Sequence, residues 1–198
     1  ALVQAMQEHH VTVAGVEDPL PRPFHVLATQ NPMEQEGTYP LPEAQLDRFM
    51  LQIGLTFPDA EAERAMLLAT TGAQSKQVRQ VMDAATLMQA QDLVRRMPVG
   101  EKILDAIVHL VRSARPQSTT NPTFRDQIAW GPGPRAAQTL MLATRARALL
   151  DGRLSPSLED VAALARPVLA HRMALTFAAR AEGVTTDDLV AQLVKTLG

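Results

Sequence analysis

Apolar and polar positions along the chain change their period near Asp59. Before it the runs are short. Val11, Thr12 and Val13 lead into Ala14 and Gly15, and the chain then passes Pro19, Pro21 and Pro23, which predicts a hairpin with a proline-broken return arm. Residues 24–29 are mostly apolar without alternation, as in a strand buried on both faces of a parallel sheet. A polar loop over 33–42 leads to a predicted short helix over 43–49. Leu51, Ile53, Leu55 and Phe57 then alternate with Gln52, Gly54 and Thr56, the period of a second strand that Pro58 and Asp59 end. Residues 1–8 read as the last turns of a helix with no capping residue before them, so the chain reads as starting in mid-domain.

Beyond Asp59 apolar residues recur at three- and four-residue steps. Ala62, Ala65, Met66 and Ala69 form one stripe, Leu87, Ala90, Val94 and Met97 a second, and Ile103, Leu104, Ile107, Val108 and Val111 a third. Residues 113–133 contain Pro116, Asn121, Pro122 and Pro132 and are predicted to form a long connection rather than a helix. Pro134 suits a first helical position, and a helix is predicted from there towards Leu150. Ser157 and Asp160 have capping-box spacing ahead of Val161, Leu164 and Val168, with Pro167 a predicted kink. The last helix is predicted to start near Thr185 or Thr186 and to present Leu189, Val190, Leu193 and Val194.

Composition narrows the chemistry. A hydrophobic share of 46% over 198 residues fills a real core, and the absence of cysteine excludes disulfides and thiolate metal sites. The five histidines lie in no ligand spacing and read as structural. Net charge is −2 with scattered arginines, which argues against a nucleic-acid binder. No apolar run reaches the roughly 20 residues of a membrane span, and no signal sequence opens the chain, so a cytoplasmic location is expected.

The sequence Ala28-Thr29-Gln30-Asn31-Pro32 places a polar cluster at the C-terminal end of the first predicted strand, the edge where open α/β sheets bind ligands. It continues as Met33-Glu34-Gln35-Glu36-Gly37-Thr38-Tyr39-Pro40-Leu41-Pro42-Glu43-Ala44-Gln45-Leu46-Asp47-Arg48-Phe49. This run closely resembles the segment of MoxR-family AAA+ ATPases that joins the sensor 1 asparagine to the arginine finger. By that resemblance Asn31 positions the attacking water, and Arg48 reaches the nucleotide of a neighbouring subunit. A planar guanidinium suits that task, because it can grip two phosphate oxygens as charge builds up. The residue-level alternative is a surface salt bridge from Arg48 to Asp47 or Glu43. Glu34 and Glu36 read either as lining the site near Asn31 or as an exposed acidic loop.

Trp130-Gly131-Pro132-Gly133-Pro134-Arg135-Ala136 resembles the family's sensor 2 motif, in which Arg135 would reach the phosphates of its own subunit. A cation in the first turn of a helix opposes the helix dipole unless an anion binds there. Gly133 departs from the small hydroxyl residue expected before the proline and is a weaker cap. The resemblance implies a partial α/β AAA+ core over 1–58 and an all-α lid over 59–198. It further implies ATP and Mg2+ as cofactors, a homo-oligomeric ring expected to be a hexamer, and a von Willebrand factor A domain protein as partner. The implied work is chaperone-like remodelling of client proteins or cofactor insertion into them. No glycine-rich loop ending in Gly-Lys-Ser/Thr occurs, and no predicted strand ends in an acidic pair for magnesium. The chain is therefore expected to be part of a longer ATPase and inactive alone. The rival readings are a magnesium-chelatase-like motor subunit and a helical interaction module that uses no nucleotide.

Overall fold

The structure is a computed structural model and describes residues 5–6, 8–30, 41–72 and 78–197. Its first element pair is the predicted hairpin. Strand β1 (His10–Val13) pairs antiparallel with β2 (Val16–Pro19), and Val13 stands opposite Val16. Ala14 and Gly15 take φ of +50° and +83°, the left-handed pair that a two-residue hairpin turn needs. Gly15 adopts it without steric cost. Pro19 sits at the open end opposite His10, where a missing N–H does least harm.

The two strands predicted after the hairpin do not form. Residues 24–29 carry no ladder, and Leu27 is 97% exposed. Residues 51–57 are likewise unpaired, with Ile53, Leu55 and Phe57 all exposed. The reason is the lack of neighbours: both sheets among the described residues have two strands, and neither borders these segments. A strand is completed by its partners, and apolar pattern alone does not supply them. The predicted short helix is a single turn, α1 (Glu43–Leu46), which runs on into bends.

Helix α2 (Ala60–Thr71) is capped by Asp59, which accepts from the Ala62 N–H at 2.8 Å. Its apolar stripe forms but buries nothing. Helix α3 (Ala84–Arg96) half-buries Leu87, Ala90 and Val94, and Met97 just beyond it is buried. In α4 (Glu101–Ser113) the buried face is Ile103, Ala106, Ile107, Leu110 and Val111, so the predicted stripe is rotated and leaves Leu104 and Val108 outside.

The long connection predicted over 113–133 instead contains α5 (Pro122–Gln127) and β3 (Ile128–Trp130). Pro122 starts this helix at its first turn rather than breaking one, and Asn121 caps it through the Thr123 N–H at 2.9 Å. Strand β3 pairs with β4 (Ala174–Leu175), a partner too distant in sequence for local pattern to show.

Helix α6 (Pro134–Leu150) packs against α3, α4 and α7 (Leu158–Leu169). A 3-10 turn (Ala170–Arg172), the short helix α8 (Phe177–Ala181) and α9 (Thr186–Lys195) complete the lid. Its core joins Ile107, Leu110, Phe124, Leu140, Val168 and Leu189, each at most 2% exposed.

One buried carboxylate organises the α6–α7 corner. Asp160 accepts from the Ser157 N–H at 2.7 Å, closing the predicted capping box, and takes both arms of Arg153 at 2.7 Å. Arg147 adds a third cationic contact at 3.2 Å. The Arg153 bonds outweigh the cost of burial and hold the Asp160 carboxyl down at about 2. A carboxyl depressed from 3.8 stabilises the fold above 3.8 and loses that contribution as pH falls through about 2. Asp160→Asn is therefore expected to cost about 2 kcal/mol at neutral pH, the upper end for a lost cap. In denaturant melts the gap from the unaltered protein should close as pH falls from 3.8 towards 2.

Candidate functional site

The residues flanking Arg48 are held by the lid. Arg172, 2% exposed, ends the 3-10 turn after α7, and all five of its N–H groups have an acceptor. Nε donates to Asp47 Oδ1 at 2.9 Å, and Nη2 donates to the carbonyls of Asp47 at 3.0 Å and Phe49 at 2.6 Å. Nη1 donates to the Met50 carbonyl at 3.1 Å and to the Val168 carbonyl at 2.6 Å. Burial pulls the Arg172 guanidinium below its ordinary value while Asp47 pushes it back up; an arginine stays charged under both influences.

His171 and Pro167 extend the clamp. His171 Nε2 lies 3.0 Å from the Phe49 carbonyl, which requires the proton on Nε2, and the Gln52 N–H donates to the Pro167 carbonyl at 2.8 Å. Burial, and then the adjoining Arg172 charge, lower the His171 pKa below its ordinary 6.5. His171 is thus a neutral structural donor, in line with the reading of the histidines as structural.

Inside this clamp the Arg48 side chain is left over. Its Nε and Nη1 are buried and have no hydrogen-bond partner among the described residues. The salt-bridge alternative for Arg48 meets a competitor, because the Asp47 carboxylate goes to Arg172 and, at 3.9 Å, to Arg135 Nη1. Arg135 and Arg48 are thus brought to the same short segment, one through Asp47 and one as its sequence neighbour. Asn31, Glu34 and Glu36 lie outside the described residues.

Arg135 owes its place to the loop before α6. Pro134 occupies the first turn, and Gly133 caps without a side-chain bond. Gly131 presses on the end of α4: a Cβ there would stand 2.1 Å from the Ala114 carbonyl oxygen. Arg115 Nε then donates to the Pro132 carbonyl at 2.7 Å, fixing the loop from the other side. Sequence reading missed Arg172 and Arg115, and it named Gly131 within the motif without its packing role. The available signal for Arg172 was a cation four residues after Val168, continuing a buried face, but its partner Asp47 is remote in sequence.

A short core segment seated on a helical bundle fits the class of AAA+ proteins with a helical lid. Comparisons with known proteins agree. Residues 1–51 match the ATPase family associated with various cellular activities (AAA), and residues 123–193 match the AAA lid domain. The chain is 35% identical over 198 residues to Chaperone MoxR1 of Mycobacterium tuberculosis, covering 100% of this chain and 52% of that protein. It is 27% identical over 186 residues to Protein MoxR of Methylorubrum extorquens, covering 88% of this chain and 54% of the relative. A crystal structure of a Cytophaga hutchinsonii protein assigned as an ATPase superposes with a TM-score of 0.91 at 35% identity, covering 98% of this chain and 59% of that one. The chain belongs to the MoxR-type AAA+ family and combines part of the AAA+ core with its helical lid. It spans about half the length of the curated relatives it matches.

Two predictions follow from the loop and the histidine. Gly131→Ala must displace backbone and should lower stability by more than about 2 kcal/mol, whereas Gly133→Ser, with open space for a Cβ, should raise it by a few tenths; chemical denaturation measures both. A histidine depressed in the folded state stabilises the fold above 6.5, and that contribution is lost as pH falls through its lower folded value. Protection of the Gln52 amide from hydrogen exchange should accordingly fall below pH 6.5, and His171→Gln should remove the pH dependence.

Proposed function

We propose that this chain supplies the trans-acting and lid-borne cations of a MoxR-type ATPase, with Arg48 as the finger for a neighbouring subunit and Arg135 as the sensor for its own. Family membership supports this, but the observation that carries it is that Nε and Nη1 of the half-buried Arg48 have no hydrogen-bond partner among the described residues, beside an aspartate claimed by two other arginines. Buried guanidinium N–H groups without an acceptor are costly, and a phosphate brought by another molecule is a ligand whose geometry matches them. Arg135, 40% exposed at its side chain in the first turn of α6, fits the same chemistry, since an anion there offsets the helix dipole.

ATP, when bound with magnesium, brings the γ-phosphoryl group whose transfer to water drives the motor. The chain's own share of that work is to bind and neutralise phosphate oxygens through Arg48 and Arg135, and to orient water through Asn31. Among the described residues no group of three or more His, Asp or Glu could hold a metal. In this reading the protein works as a homo-oligomeric ring, a hexamer, because a finger acting in trans needs a neighbour. The ring would remodel client proteins, or insert cofactors into them, with a von Willebrand factor A domain partner in the cytoplasm. The chaperone name of the mycobacterial relative supports that role, and no described helix is long and apolar enough to cross a membrane.

In the full-length protein Arg48→Ala is expected to leave nucleotide affinity nearly unchanged and to lower turnover by on the order of 10³-fold or more. Arg135→Ala should weaken nucleotide binding as well. Calorimetry with a non-hydrolysable ATP analogue and steady-state ATPase rates separate the two. Wild-type turnover in Arg48→Ala would refute the finger assignment.

A further inference from the structure

We propose that Arg172, a lid residue, is the positioning residue for Arg48, so that the lid of one subunit sets catalysis in the pocket of the next. This rests on the reading of Arg48 as a finger. Four of the five Arg172 hydrogen bonds go to Asp47, Phe49 and Met50, the residues that bracket Arg48, and the fifth goes to Val168 on the lid's own α7. The neighbouring His171 adds a bond to the Phe49 carbonyl. The backbone on both sides of Arg48 is thereby fixed to the lid, while Arg48 Nε and Nη1 receive no bond from it. Fixed backbone with guanidinium nitrogens left unbonded is what a side chain acting on another molecule requires.

The lid's second arginine reads the same segment. Arg135 Nη1 is 3.9 Å from Asp47 Oδ2, on the carboxylate whose other oxygen takes Arg172 Nε. A lid that turns when Arg135 meets phosphate therefore carries residues 47–50 with it, and Arg48 moves relative to the adjoining subunit. A fork that makes four short bonds to this segment does not stretch to absorb such a movement.

The test uses the full-length protein under ring-forming conditions. Arg172→Lys keeps the charge and loses the fork; it should lower kcat on the order of 10- to 10²-fold, the scale of a misplaced catalytic group, with nucleotide Kd within about twofold. Mixed with subunits whose phosphate-loop lysine is replaced, Arg172→Lys should regain activity as Arg48→Ala does, because a sound finger then meets a sound pocket. Asp47→Asn, at a half-buried site where the side chain keeps its shape and one oxygen acceptor, should do the same to a smaller degree and carries the test if Arg172→Lys does not fold. Leu193→Ala, a buried lid position away from residues 47–50, controls for loss of lid stability and should give no regain on mixing.

The proposal is overturned if Arg172→Lys and Asp47→Asn both turn over ATP at the wild-type rate. It is equally overturned if they lose nucleotide affinity in step with turnover and are not complemented, or if Leu193→Ala behaves as they do. If Arg48→Ala itself hydrolyses ATP at the wild-type rate, the finger reading falls, and this inference with it. If Arg48→Ala is complemented on mixing while the Arg172 and Asp47 variants are not, only the inference falls.

Discussion

Each N–H of a buried guanidinium without an acceptor costs free energy, and of the five acceptors Arg172 uses, only one, the Val168 carbonyl, lies on the helix before it. The other four are a carboxylate oxygen and three carbonyls of residues 47–50, remote in sequence, so the lid folds to completion only by gathering that segment. Much of the remaining geometry follows. Asp47 is drawn to the lid and meets Arg135; Phe49 turns its carbonyl to His171; Gln52 reaches Pro167; and Arg48, between clamped neighbours, is denied the acid beside it. Removing Arg172 would leave Asp47 and three carbonyls without their partner, a loss on the order of 3 kcal/mol by the usual cost of breaking a buried pair.

The helical half was the more legible half, because a helix satisfies its own backbone and announces itself by period. The capping residue Ser157, the opening Pro134 and the start of the last helix at Thr185 and Thr186 all stand where the pattern placed them. Strands behave otherwise. The segments 24–29 and 51–57 have the right residues and no ladder, since a strand depends on neighbours that its own pattern cannot specify. The same dependence hid β3, which exists only because Ala174 and Leu175 come back to it. Pro122 was misread for a further reason: a proline that ends one helix and a proline that opens another look alike until the Asn121 cap is weighed with it.

For the candidate site, the two motifs pointed to Arg48 and Arg135, residues whose chemistry is intrinsic to the side chain. What they could not supply were the contacts that hold them. Gly131 matters because of the Ala114 carbonyl oxygen, Arg115 because of the Pro132 carbonyl, and Arg172 because of Asp47; none of these pairings has a local sequence signature. Functional groups are recognisable one residue at a time, whereas their positioning is a property of contacts across the fold.

The most direct measurement of the central claim is a structure of the assembled full-length protein with a transition-state analogue of ATP hydrolysis bound. The account predicts that the Arg48 guanidinium lies at hydrogen-bonding distance, about 3 Å, from a phosphate-mimic oxygen in the adjoining subunit, with Arg172 still bonded to Asp47 and to the Phe49 carbonyl. Arg48 paired with a carboxylate of its own subunit, and far from any nucleotide, would contradict it.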